Sequence, residues 1–207
     1  MRLAQLRRRE RGDTIIEVMF AVTIFSMIAV GSLTIMNQSL SVAQRSLEIT
    51  LVRQQMDAQA EALRFINQAY TANFQRGGPA PTGVAAEWST ITSKAVGQAS
   101  TFGDAVGVTC PATMPTGAFI LNAQTARVWN QTPKSMADAN PPPFSQVRYD
   151  GSGTITDAYG IWIEAVRSGS VGQLGYVDFH IRTCWNSPGS SVVSTLGTIV
   201  RLYEPRG

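Results

Sequence analysis

Hydrophobic and polar positions divide the chain into three textures. From Thr14 to Met36 the sequence TIIEVMFAVTIFSMIAVGSLTIM runs 23 residues with one charge, Glu17. At about 1.5 Å per residue this length matches the hydrocarbon thickness of a bilayer. A secretory signal also begins basic and continues apolar, but its apolar region covers only about 7–15 residues and ends in a small-residue cleavage site. The present run is longer, contains an acid and has no such site near Met36.

The second texture is helical and runs on from the first. No proline occurs before Gly78 and no glycine between Leu33 and Arg76, so the expected helix ends at the GGPAPTG stretch, Gly77 to Gly83. Placing residues at 100° intervals after Asn37 gives three stripes. Val42, Ile49, Val52, Met56, Leu63, Ile66 and Tyr70 form one apolar face, and Leu40, Leu47, Leu51, Ala58, Ala62 and Phe65 form another on nearly the opposite side. Arg53, Asp57, Glu61 and Arg64 run between them. A helix packed on one domain needs one apolar stripe. The second stripe implies either a central helix buried all round or a further partner.

Beyond Gly83 the chain turns to Gly, Ser, Thr and Pro with short β-branched and aromatic runs, the pattern of strands and loops. GAFILN and ARVWNQ, around Ala123-Gln124-Thr125, predict a hairpin; SQVRYD, followed by a DGSG turn, predicts another strand. AEWSTITSKAVGQAS, from Ala86 to Ser100, reads as either helix or strand. The clearest sheet lies at the end: GIWIEAVR, YVDFHIRTCW and TLGTIVRLYE. In the middle run Val177, Phe179, Ile181 and Trp185 alternate with Asp178, His180 and Arg182, one dry face and one wet. Cys184 falls on the wet side of that register. The expected fold is therefore α+β: a long N-terminal helix, membrane-spanning in its first half and amphipathic in its second, packed on a C-terminal antiparallel sheet. The segments are a basic leader over 1–12, a membrane or assembly helix over 13–36, its amphipathic continuation over 37–76 and a β-rich head over 79–207.

Charge sharpens this picture. The total is +3, but the leader holds five arginines against Glu10, a net of +4, leaving −1 on the remainder. A basic cluster abutting an apolar span marks the cytoplasmic side of a membrane, whereas nucleic-acid binders spread basic residues over a folded face. The two cysteines, Cys110 and Cys184, both follow the apolar span. In an oxidising compartment they are a candidate disulfide; two buried free thiols are the alternative. His180 is the single histidine, so a metal cluster or a histidine-based triad lacks supporting residues, and no phosphate-binding glycine motif occurs. No catalytic residue, metal site or cofactor is assigned, and enzymatic activity is not expected.

The segment RRRERGDTIIEV resembles the type IV prepilin signal of type IV pilins, type II secretion pseudopilins and competence pseudopilins. In that family the leader ends in glycine, the next residue becomes the mature N-terminus, and a glutamate stands fifth in the mature chain. These roles fall here on Gly12, Asp13 and Glu17. The resemblance implies a pilin-like fold, cleavage of Gly12-Asp13 by a membrane prepilin peptidase, possible N-methylation of Asp13, and pairing of Glu17 with the N-terminal amine of an adjacent subunit. Implied partners are the membrane, the peptidase, other pilin or pseudopilin subunits and a pilus assembly platform; nucleic acid enters only for a DNA-uptake pilus. The implied location is the cytoplasmic (inner) membrane as a single-pass precursor with an extracytoplasmic head, then a cell-surface pilus or pseudopilus. Asp13 departs from the usual phenylalanine or methionine, and the apolar helix lacks the proline of many major pilins, features that tilt the reading toward a minor pilin or pseudopilin. The alternative is a membrane-anchored binding protein that never polymerises.

Overall fold

Unbroken helix-compatible sequence from the apolar run onward gives one continuous helix, α1, Ile15–Asn73. The computed structural model describes residues 15–75, 77–97, 110–138, 140–168, 175–188, 190 and 192–205. The chain divides into two compact units, one ending at Gln44 and one spanning Arg45–Gly207. The described part of the first is helix alone. Helix α1 ends at Asn73, four residues before Gly77, where the side-chain amide of Asn73 donates to the Ala69 carbonyl at 2.7 Å.

In the second unit the later part of α1 forms one layer of the core. Val52, Leu63 and Ile66 are fully buried and Met56 nearly so, with Ile49 and Tyr70 packed at the margin. Burial of side chains of this size contributes roughly 1.5–3 kcal/mol each. These belong to the first of the two apolar stripes, whose Val42 remains exposed. Of the second, Ala62 is buried and Leu51 half-buried, while Leu47 and Phe65 remain exposed.

After a 3-10 turn at Gly83–Ala86, the ambiguous segment begins as a short helix, α2, Glu87–Ser93, which buries Trp88 and Ile91 three positions apart. Two small hairpins follow. In the first, β1 (Leu121–Asn122) pairs with β2 (Arg127–Val128) around a connection that includes Ala126 as well as Ala123–Thr125. In the second, β3 (Gln146–Tyr149) pairs with β4 (Ile155–Tyr159). At its DGSG turn the Asp150 carboxylate accepts from the backbone N–H of Ser152 and of Thr154, each at 2.9 Å. The Ser152 hydroxyl, donating at 2.6 Å, and then these amides hold its pKa below the ordinary value.

The main sheet has strand order β5-β6-β7, all antiparallel: Ile161–Ser168, Tyr176–Trp185 and Ser194–Tyr203. Val177, Phe179, Ile181 and Trp185 are fully buried, as the alternation requires. Phe179 packs edge-on against Trp88 and Phe119, with ring centroids 5.9 and 6.5 Å apart. The free side of β5 is covered by backbone bonds: Val96 N–H donates to Ala165 O at 2.9 Å, and Phe119 and Ile163 exchange bonds of 3.1 and 2.9 Å.

The last residues of β6 depart from a simple wet face. Arg182 and Cys184, both on that face, are buried, while Thr183 follows Ile181 onto the dry face, its hydroxyl 3.9 Å from Met56 Sδ. Chain outside the sheet covers Cys184: Ser145 Oγ donates to both Gly160 O and Cys184 O, and Cys184 N–H donates to Gly160 O at 2.8 Å. Gly160 has φ of 62°, and a Cβ there would lie 2.4 Å from the Cys184 carbonyl oxygen, so the approach depends on glycine. Cys110 and Cys184 form a disulfide with Cα atoms 5.7 Å apart, inside this covered region and not on the exposed surface that the register suggested.

Candidate functional site

Residues Gly12 and Asp13 lie outside the described residues. Glu17 is described and sits in the first turn of α1. From Ile15 to Met36 every large apolar side chain is more than half exposed, from 51% at Val18 to 81% at Ile15. This is the one helix, among the described residues, long and apolar enough to cross a membrane. Continuous apolar exposure on this scale requires lipid or protein around it.

The polar side chains of the span divide sharply. Thr23, Ser26, Ser32 and Thr34 each turn the hydroxyl back onto a backbone carbonyl four residues earlier: Met19, Val22, Ile28 and Val30 respectively. Such back-bonding satisfies a hydroxyl without any external partner, as an apolar surrounding demands. Glu17 has no hydrogen-bond partner among the described residues. It is the one polar group of the described span whose needs the helix does not meet. A carboxylate cannot be satisfied by a carbonyl, since it only accepts hydrogen bonds when ionised.

The head contains three buried polar arrangements that residue pattern did not reveal. Glu48, on the helix face that enters the core, accepts from Trp185 Nε1 at 3.0 Å and from Ser187 Oγ at 2.8 Å; Ser187 in turn contacts Ser194 Oγ at 2.9 Å. Gln59 acts as a surrogate strand: its Nε2 donates to Leu121 O at 2.8 Å and its Oε1 accepts from Leu121 N–H at 2.9 Å. Glu164 accepts from Trp162 Nε1 at 2.8 Å and from Arg182 at 3.2 Å. At 100° per residue both Glu48 and Gln59 fall within the arc of the first apolar stripe, so their position could have marked them and only their polar residue type masked it. Each ties the helix to the sheet side of the core.

Asp178 is engaged by Arg201, which donates Nε and a terminal nitrogen to its two oxygens at 2.7 Å each. That fork holds the Asp178 pKa down and the Arg201 pKa up. His180 lies opposite Glu164 in the sheet and is half-buried. Burial, reinforced by Arg182, pushes its pKa below the ordinary value. Asp178 and Glu164 are thus drawn to different cations and do not act on a common centre. Among the described residues no group of three or more His, Cys, Asp or Glu side chains is placed to hold a metal ion. Beside α1, a groove of about 380 Å³ opens between Ala58, Ala62 and Phe65 and the connection at Ala123–Ala126.

No family model, curated protein or solved structure matches this chain.

Proposed function

We propose that the chain is a structural subunit, in the manner of a minor pilin or pseudopilin, of a type IV pilus or type II secretion-like filament. It enters the cytoplasmic membrane with its arginine-rich start on the inner side, is cut after Gly12 by a prepilin peptidase, and passes to a surface filament through its N-terminal helix. The single observation that carries this reading is the unmatched carboxylate: in an exposed apolar helix whose hydroxyls are bonded internally, Glu17 lacks a partner among the described residues, at the fifth position after Gly12.

The physical logic follows from that imbalance. An unpaired acid in the apolar part of a membrane costs at least about 2.5 kcal/mol. Cleavage after Gly12 creates a cationic amine one helical turn before Glu17, and the amine of a neighbouring copy relieves the cost. A buried charge pair of this kind sets the register of assembly more than it adds stability. The exposed second stripe, with Leu47 and Phe65, supplies further apolar surface for neighbours.

The experiment compares wild type with Glu17→Ala in cells that assemble the filament. The variant is expected to insert and be processed normally but to be depleted at least about tenfold from sheared filaments, the equivalent of about 1.4 kcal/mol. Unchanged incorporation removes the role given to Glu17 and leaves a helix that serves as an anchor only.

A further inference from the structure

The main sheet has two edges, and only one is closed among the described residues. Backbone bonds from Val96 and Phe119 cover β5, whereas β7 pairs with β6 alone. Its register with β6 is continuous over ten residue pairs, from Tyr176↔Tyr203 to Trp185↔Ser194, so no bulge turns the edge away. Glu204 N–H donates to Gly175 O, and Thr183 Oγ1 donates to Leu196 O, so the even-numbered residues direct their backbone groups toward β6. Thr195, Gly197, Ile199, Arg201 and Tyr203 then present theirs outward. Tyr203 agrees with this parity, since its carbonyl accepts from the Asn67 side chain at 3.2 Å, away from β6. From Thr195 to Arg201 no bond closes the edge among the described residues.

Edges left open in this way usually carry a proline, a lysine or a bulge that discourages pairing. STLGTIVRLY has neither proline nor lysine, and its one charge, Arg201, is already forked to Asp178. Ile199 stands 59% exposed at the middle of the outward-facing set.

The geometry points to a second copy of this chain as the occupant, paired antiparallel along β7 about a two-fold axis at Ile199. The strand is complementary to itself in that register. Ile199 meets the partner's Ile199, and each Arg201 lies opposite the partner's Gly197, which has no side chain to oppose it. The outward groups of Gly197, Ile199 and Arg201 find partners in the opposing strand. Sliding the strands to set Arg201 against the partner's Arg201 would juxtapose like charges, which is destabilising. The contact is closed, because a two-fold pair does not propagate. It goes beyond the filament reading and does not depend on it.

The test places one cysteine at the axis. Both native cysteines are in the Cys110–Cys184 disulfide, so Ile199→Cys supplies the single free thiol. Antiparallel partners directly opposite one another lie about 5.5 Å apart at Cα, within the range a disulfide spans. In the full chain in detergent, mild oxidation is expected to give a covalent dimer. Val192→Cys, exposed but off the edge, is expected to give at least about tenfold less. Ile199→Pro removes only an outward N–H and is expected to keep native circular dichroism while weakening association about tenfold or more. Adding Glu17→Ala to the Ile199→Cys variant should leave the covalent dimer unchanged, which separates this contact from helix-driven assembly. A folded Ile199→Cys protein that stays monomeric, links no better than Val192→Cys, or links to a different polypeptide overturns the self-pairing.

Discussion

Reducing the Cys110–Cys184 bond isolates the contribution of one cross-link. The bond joins residues separated by 74 positions, so in the chain-entropy model its loss frees about 4 kcal/mol of unfolded-state entropy. Reduction leaves both sulfurs in place, and Cys110 and Cys184 are only 6% and 1% exposed, so packing changes little. The Cys110→Ala, Cys184→Ala double variant adds the loss of those sulfurs and is expected to be slightly less stable than the reduced wild type. For a unit of this size each kcal/mol moves Tm by about 2–4 °C, giving an expected fall of about 8–16 °C on reduction. The assay is thermal unfolding of the chain in detergent by near-ultraviolet circular dichroism, which reports the packed tryptophans Trp88, Trp162 and Trp185. A shift under about 3 °C, with free thiols verified chemically, would refute the reasoning: the connection from Cys110 would then be held without the bridge.

Glu48→Ala strands the Trp185 indole N–H in the core, while the Ser187 hydroxyl keeps Ser194, and is expected to cost about 2–3 kcal/mol, whereas exposed Glu61→Ala should cost under about 0.5; equal effects in urea titrations would contradict the assignment. Stability is also expected to fall with acid in two stages. His180 has a pKa below its ordinary 6.5, so the unfolded chain binds more protons at this site: stability is full above that value and declines as pH drops toward the folded pKa. Asp178, held below 3.8 by Arg201, contributes stability above that value and loses it as pH falls through the folded pKa. Urea midpoints at about pH 7.5, 5.5 and 3.5 measure both stages; a midpoint that rises between the first two would contradict the histidine stage, and His180→Gln should flatten it.

Most of the fold can be read from periodicity, because long elements repeat their signal. Helix α1 has roughly sixteen turns in which to display its stripes, and β6 alternates cleanly over Val177–Ile181. Burial of Cys184 could not be read this way, since it lies on the face that alternation leaves wet and is covered by Ser145 and Gly160, a contact far apart in sequence. Glu48 and Gln59 were hidden by residue type and not by position. Both fall inside the arc of the first stripe, but a charged or amide side chain is ordinarily wet, and only a partner such as Trp185 or Leu121 makes it a core group. For the candidate site the position of Glu17 was legible from its spacing to Gly12, but its isolation was not. That emerges from the hydroxyls of Thr23, Ser26, Ser32 and Thr34 bonding to their own helix, which the sequence permits without requiring.

Intact-mass spectrometry of the native protein decides whether the chain is a cleaved precursor whose new terminus serves assembly. A processed subunit gives a mature chain beginning at Asp13, with or without one added methyl group, and an uncut chain when Gly12 is replaced by alanine. A native protein that retains Met1 through Gly12 would contradict the cleavage.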